Sequence, residues 1–228
     1  MPLLAVLLSA LALAPAPISA APTSPAGAPP APPPPAELEA LRAEADAVIR
    51  RASAQAHVVN DTRRDFPAVR HTASGLRCLF QPGRSDNAIV WIGSAAGGGM
   101  GCTSRPVGFH QTLQAVRLAP GETLESVLEA SVRDITTGRP DARLYEGGGM
   151  SVRVAPAAGL PPAASRSAAY LVRREGRAVF SRVSVAIVDG WVIRQQFEAP
   201  ADQAEAAQLL AEVVMSTTLI DLASRASG

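Results

Sequence analysis

Two cysteines, Cys78 and Cys102, are the residues of this chain best suited to do chemistry. Cysteine thiolates ligate zinc, act as nucleophiles or join in a disulfide. Zinc is disfavoured because the chain has no CxxC knuckle and no HxxxH or HExxH pattern. A catalytic thiol beside a histidine is the second alternative, but the thiols of exported proteins are usually oxidised. The pair therefore predicts one intramolecular disulfide between Cys78 and Cys102.

The three histidines and Ser94 are the remaining candidates for catalysis or metal binding. His110 shares one face of a predicted strand with other polar residues, which is typical of an exposed strand histidine. His57 and His71 give no stronger indication. Ser94 lacks the GxSxG turn of a nucleophile elbow. The sequence thus assigns no catalytic residue, no cofactor-binding residue, no metal ligand and no cofactor.

Two glycine-rich runs could line a ligand site. The first, GSAAGGGMG from Gly93 to Gly101, lacks the P-loop pattern because no lysine follows its glycines and no helix is predicted behind it. The second, GGGM from Gly147 to Met150, precedes an alternating strand that ends at Val154. Because both runs stand before strands, they are predicted to be flexible connections. A ligand-binding rim is the alternative.

The N-terminus has the pattern of a secretory signal peptide over residues 1–20. Its apolar run, Leu3 to Ala14, is followed by prolines and by small residues, and the predicted cleavage leaves Ala21 first. The run is shorter than the roughly 20 residues that span a bilayer, so an uncleaved anchor is the weaker alternative. The pattern predicts a periplasmic or secreted protein whose mature chain has no transmembrane segment.

Charge bears on the partners of the chain. The formal net charge is +1, which gives no electrostatic indication of nucleic-acid binding. All 21 basic residues are arginine. Arginine stripes could bind an anion, but solvated sheet faces are the more common arrangement. The predicted partner is therefore another envelope protein or a small ligand, and not a nucleic acid.

The clearest fold signal is a hairpin over Arg177 to Pro200, in which Asp189-Gly190 separates two β-branched runs. A two-residue loop would pair Val188 with Trp191 and would set apolar residues of one strand beside charged residues of the other. A three-residue loop places Ile187 opposite Trp191 and separates an apolar face from a polar one. This separation of faces predicts the three-residue loop.

The other elements surround this hairpin. A Pro/Ala-rich linker over residues 21–35 favours an extended chain, and an N-terminal helix is predicted within 36–57. Residues 58–72 read as a polar connection, 107–118 as a strand and 121–136 as a helix. A last helix is predicted from Pro200 to about Ala223. Its predicted core-facing residues are Ala206, Leu209, Leu210, Val213, Val214 and Ile220.

The order of these elements predicts an α+β fold, with an antiparallel sheet and flanking helices in a single domain over residues 58–224. The motifs HTASGLRC and GMGC, with Trp91 on a strand between them, resemble small uncharacterised exported proteins of proteobacteria that share an SGLxC motif and a second downstream cysteine. That resemblance implies no activity. The C-terminal segment YLVRREGRAVFSRVSVAIVDGWVIRQQFEAP and its following helix are similar in layout to PsbP-like domains. This second resemblance implies an antiparallel sheet with flanking helices that serves as a binding or assembly subunit.

These observations predict an exported, non-catalytic binding or accessory protein of the cell envelope. The alternative is a small secreted hydrolase whose active site is assembled from dispersed residues. A deep cleft that holds His110 or Ser94 beside a buried carboxylate would favour the enzyme. A shallow apolar groove rimmed by the glycine-rich runs would favour binding.

Overall fold

The computed structural model describes residues 33–93, 98–147 and 164–225. The predicted signal peptide, most of the linker, Ser94 and the predicted strand from Met150 to Val154 lie outside these residues. The described helices are α1 (Pro35–Arg51), α2 (Leu124–Thr136) and α3 (Ala204–Ala223). The described strands are β1 (Val58–Asn60), β2 (Ala68–His71), β3 (Arg77–Leu79), β4 (Ala88–Ile92), β5 (Gly99–Ser104), β6 (His110–Arg117), β7 (Arg143–Leu144), β8 (Ser165–Arg174), β9 (Arg177–Val188) and β10 (Trp191–Pro200).

The strands form two antiparallel sheets. The large sheet has the order β4-β5-β6-β10-β9-β8-β7, and the small sheet has the order β1-β2-β3. Helix α1 packs against β1 and β2 and also contacts β4. Antiparallel sheets with separate helices constitute an α+β fold, so the predicted fold class is confirmed.

The large sheet is covered on both faces. Val183 and Val185 of β9 pack against α2 around Ile135. Phe180 of the same strand faces the opposite way, where it packs beneath the alanines of α3. Because successive strand residues point to opposite faces, helices α2 and α3 lie on opposite sides of β9.

This double cover explains why the predicted hairpin register is wrong. Val188 pairs with Trp191 across a two-residue turn. Asp189 and Gly190 have φ values of 49° and 72°, as a type I′ turn requires. The prediction assumed one apolar and one polar face, whereas here both faces are buried. Apolar and polar residues are therefore mixed on each of them.

The predicted core face of α3 is also wrong. The helix packs on the core through residues that are small or not branched at Cβ, namely Ala204, Ala207, Ala211, Met215, Leu219 and Leu222. Leu209, Val213 and Ile220 are exposed instead. Alanines face the sheet because a small side chain lets the helix backbone approach the rings of Phe180 and Phe197. Residues Ala201–Ala223 are the one helical stretch in the described ranges that is long and apolar enough to span a membrane by length and composition, criteria that core helices also meet.

Residues 58–72, predicted to be a polar connection, contain β1 and β2. Helix α1 ends at Arg51 rather than near His57, and Ser53 takes a left-handed φ of 50° just beyond it. The arginine of β2, Arg70, is buried because it forms an ion pair with Asp61 of the same segment. The polar composition of this stretch therefore reflects both a charge cluster around Asp61 and an exposed loop over residues 63–66 between the two strands.

Candidate functional site

Cys78 and Cys102 form the predicted disulfide, with 6.2 Å between their Cα atoms. The bond joins β3 of the small sheet to β5 of the large one. Both residues are buried in the core that the two sheets share with α1 and α3. The pairing that the sequence predicts is therefore confirmed, and it fixes one sheet against the other.

His57 and His71 lie in an aromatic cluster beside the two tryptophans. The ring centroid of His71 is 5.7 Å from that of Trp191 and 6.4 Å from that of Trp91, and His57 is 5.7 Å from Trp91. His71 Nδ1 is 2.8 Å from Ser74 Oγ. No group of three or more His, Cys, Asp or Glu residues in the described ranges could hold a metal ion. These two histidines therefore have structural partners.

Lowering the pH should destabilise the folded protein, because protonation of His71 is less favourable in the folded chain than in the unfolded one. Burial lowers the pKa of His71 below its usual 6.5, and the positive charges of His57 and Arg117 lower this pKa further. Between pH 6.5 and that lower value, the unfolded chain binds a proton that the folded chain excludes. The free energy of unfolding should therefore fall as the pH drops below 6.5, by up to about 1.4 kcal/mol per pH unit for this group.

Urea denaturation at several pH values between 7.5 and 5 measures this slope. His71→Phe keeps an aromatic ring beside Trp191 and removes the titrating group. We expect the variant to lose stability less steeply on acidification than the wild-type chain. Equal slopes would contradict the assignment to His71.

His110 does not form a catalytic pair. It lies opposite Glu198 in the register of β6 and β10. The Glu198 carboxylate instead accepts hydrogen bonds from Arg174 at 2.7 Å, Gln196 at 3.2 Å and Ser181 at 3.4 Å. His110 is also absent from the lining of the groove described next.

An open apolar groove of about 320 Å³ lies between α3 and the small sheet. One wall is formed by β3 and the residues after it, and the other by Leu210, Val213 and Val214 of α3. The floor belongs to β5 and β6 of the large sheet. The groove therefore lies where the elements joined by the disulfide meet α3.

The rim of the groove carries exposed apolar side chains from separate segments. Phe66 precedes β2, Leu79 ends β3 and Val213 lies on α3. Val107 is 79% exposed and has a φ of 50°, which is strained for a β-branched residue. Four of the exposed large apolar residues thus converge on one place, and such concentrations mark interaction sites.

Two polar side chains lie on the floor of the groove. Ser104 and Gln111 are cross-strand neighbours in the register of β5 and β6. Only 5% of Ser104 and 7% of Gln111 is exposed. Both side chains line the groove and form no hydrogen bond to another described residue, but their polar atoms are not enclosed and reach the solvent in the groove. A ligand with its own donors and acceptors would therefore satisfy them.

One end of the groove is basic. Asp61 accepts ion pairs from three arginines: Arg63 at 2.9 Å, Arg77 at 2.8 Å and Arg70. An adjoining cavity of about 270 Å³ shares Arg77 with the groove and is lined by three arginines and one aspartate. Arg64 lines it and forms no ion pair with a described residue. Asp221 of α3 also lines the groove and lies 3.8 Å from Arg70, so the four arginines at this end face three carboxylates, and one positive charge is in excess.

The groove was not predicted from the sequence. Of the residues singled out in the sequence, only Leu210, Val213 and Val214 line the groove, and they were predicted to face the core. The glycine runs do not line it in the described part of the chain. The available signal was a last helix with more apolar residues than one buried face can hold.

No family model matches the sequence, and no curated protein matches it. The resemblance to exported proteins with an SGLxC motif therefore stays a prediction. Among solved structures, the chain is similar to PsbP (CyanoP) of Synechocystis sp. PCC 6803, with 14% identity, a TM-score of 0.44, and coverage of 71% of this chain and 91% of that one. It is also similar to PA94 of Pseudomonas aeruginosa, a protein of unknown function, with 12% identity, a TM-score of 0.35, and coverage of 67% and 94%. LpqN of Mycobacterium tuberculosis, which is involved in cell envelope biogenesis, matches with 11% identity, a TM-score of 0.32, and coverage of 60% and 85%. Likenesses this distant assign this chain no activity, ligand or partner.

Proposed function

We propose that this chain is an exported, non-catalytic binding or accessory protein of the cell envelope, and that it holds its partner in the groove between α3 and β3. The observation that carries this proposal is the pair Ser104 and Gln111, whose polar atoms have no hydrogen-bond partner among the described residues and open into an apolar groove. A partner that fills the groove covers these polar atoms, so it must form hydrogen bonds of its own with them, which favours a specific partner.

The export part of the proposal is supported by two features. The N-terminus has the signal-peptide pattern, and the disulfide between Cys78 and Cys102 is consistent with an exported protein. The binding part does not depend on export. It depends on the groove and is tested there.

Placing a charge in the groove should weaken binding of an apolar ligand. Val213 and Ile220 are exposed to nearly the same degree, 54% and 53%, on the same helix, but only Val213 lines the groove. We expect Val213→Asp to weaken binding of the apolar dye anilinonaphthalene sulfonate about tenfold, which corresponds to about 1.4 kcal/mol. The measurement is a fluorescence titration of the folded protein.

Ile220→Asp is the matched control, because it adds the same charge to the same helix outside the groove. Its dye affinity should stay within about twofold of the wild-type value, a difference of less than about 0.5 kcal/mol. If both variants bind the dye as the wild-type chain does, the groove is not the binding site. Thermal denaturation of both variants shows whether the fold is intact.

A further inference from the structure

We infer that the occupant of the groove is an extended polypeptide segment, which pairs as an added strand with the free edge of β3 and inserts an apolar side chain into the groove. This inference rests on the proposed function, since it names the class of partner for the same site. Four observations carry it: the free edge of β3, the course of the groove along that edge, the unpaired polar floor and the basic end.

The first observation is the edge itself. Strand β3 is the outermost strand of the small sheet, with no strand paired beyond it in the described ranges. The N–H of Phe80 donates to the carbonyl oxygen of Pro67, so the backbone groups of Phe80 point toward β2. Backbone groups alternate along an antiparallel strand, and those of Arg77 and Leu79 therefore point away from β2. These two residues offer donors and acceptors to an added strand.

The second observation is the position of the groove. Arg77 and Leu79, whose backbone groups are free, also line the groove with their side chains. Phe80 and Gln81 continue the same wall beyond the end of the strand. A peptide paired with β3 would therefore run along the groove, and alternate side chains of the peptide would reach it.

The third observation distinguishes a peptide from an acyl chain. The amide of Gln111 has both donors and an acceptor, and the hydroxyl of Ser104 has both functions as well. An acyl chain has no hydrogen-bond donor or acceptor along its length. It would cover both polar side chains and leave them without a hydrogen-bond partner. A peptide group carries one N–H and one C=O, which complement both side chains.

The fourth observation concerns the residues that flank the apolar side chain. The basic end of the groove has Arg77, which shares Asp61 with two other arginines, and Arg64, which has no ion-pair partner among the described residues. Excess positive charge at one end selects an acidic residue at the matching end of the partner. The inferred partner is thus an apolar segment followed by acidic residues.

The test uses the intact protein and a fluorescein-labelled peptide, Thr-Val-Phe-Val-Asp-Asp, in an anisotropy titration. Two N-methylated versions are compared with it, one methylated at both valines and the other at the phenylalanine and the first aspartate. In a strand these two sets of N–H groups point to opposite sides. We expect the version whose methyl groups face β3 to bind at least about tenfold more weakly than the other version, which keeps the N–H groups that pair with the strand.

A protein variant provides the reciprocal measurement. Leu79→Pro removes the N–H that points away from β2 and should weaken peptide binding at least about tenfold. Leu144→Pro is the matched control, since Leu144 is an exposed leucine of the edge strand β7. The N–H of Tyr145 donates to Ala169 of β8, so that of Leu144 likewise points outward. The affinity of the Leu144→Pro variant for the peptide should equal that of the wild-type chain.

Failure of this inference differs from failure of the proposed function. If the dye and dodecanoate bind in a manner that Val213→Asp abolishes, while the peptide does not bind or both methylated versions bind equally, the groove binds an apolar ligand and the inference is overturned. If the chain self-associates in sedimentation and Leu79→Pro abolishes this without any peptide binding, the edge pairs with a second copy and the inference is again overturned. If no probe responds to Val213→Asp, the proposed function fails with it.

Discussion

Replacing Glu212 by Leu is expected to lower the free energy of unfolding by about 3–5 kcal/mol. Glu212 of α3 forms an ion pair with Arg182 of β9, and the two residues are only 7% and 1% exposed. Burial lowers the pKa of Arg182, and the adjacent Glu212 carboxylate raises it again. Removing the carboxylate leaves a guanidinium charge beneath α3 whose remaining acceptors among the described residues are Ser167 Oγ at 2.9 Å and the Gln208 carbonyl at 3.1 Å. An uncompensated charge in such a place costs several kcal/mol.

The matched control is the double variant Arg182→Met with Glu212→Leu. It removes both charges and fills the space with apolar side chains, so its stability should lie within about 1–2 kcal/mol of the wild-type value. Urea denaturation of the wild-type chain, the single variant and the double variant measures all three. A single variant that is no less stable than the double one would show that the charge pair does not hold α3 on the sheet.

Reduction of the disulfide is expected to lower the melting temperature by about 6–12 °C. The bond closes a loop with a sequence separation of 24 residues. In the loop-entropy model, closure of such a loop stabilises the fold by about 3 kcal/mol. Thermal denaturation with and without reductant measures the difference, and the double variant Cys78→Ala with Cys102→Ala should show no response to reductant.

Thiol titration of the denatured, non-reduced protein from its native source tests whether the bond forms there. We expect no reactive thiol, since both cysteines are in the bond. Two reactive thiols per chain, or a melting temperature that reductant does not change, would contradict the prediction.

The elements that the sequence predicted well are those with one clear apolar face. Helix α2 has its apolar stripe on the sheet, and the capping box of Thr123 and Ser126 fixes its start. Strand β6 alternates as expected, with Leu113 and Ala115 buried. The disulfide was predictable because two cysteines allow one intramolecular pairing.

The elements that were predicted wrongly lack such a face. Strands β9 and β10 are buried on both sides, so an argument from apolar and polar faces could not select the register of their hairpin. Helix α3 has apolar residues nearly all round, and the choice between Ala211 and Val213 as core residue depends on how closely the helix approaches Phe180. That distance is a property of the assembled sheet and not of the helix sequence.

The groove could not be predicted from the sequence for a different reason. Its lining comes from the segment before β2, from β3, β5 and β6, and from α3, which meet only in the folded chain. One residue did carry a signal: Gln111 stands on the face of β6 that also carries Leu113 and Ala115. A polar residue at a position that the alternation assigns to the core indicates a candidate binding site.

The pairing of β6 with β10 affects the chain while it is being synthesised. Strand β6 pairs with β10, although α2, β7, β8 and β9 lie between them in the chain. A nascent chain that ends before Trp191 has made β4, β5 and β6 but has no partner for the outer edge of β6, which is eight residues long. An open edge of this kind can template pairing with other chains. The two halves of the protein therefore depend on each other for a continuous sheet. The newly made N-terminal half is prone to aggregate until β10 has been synthesised and pairs with β6.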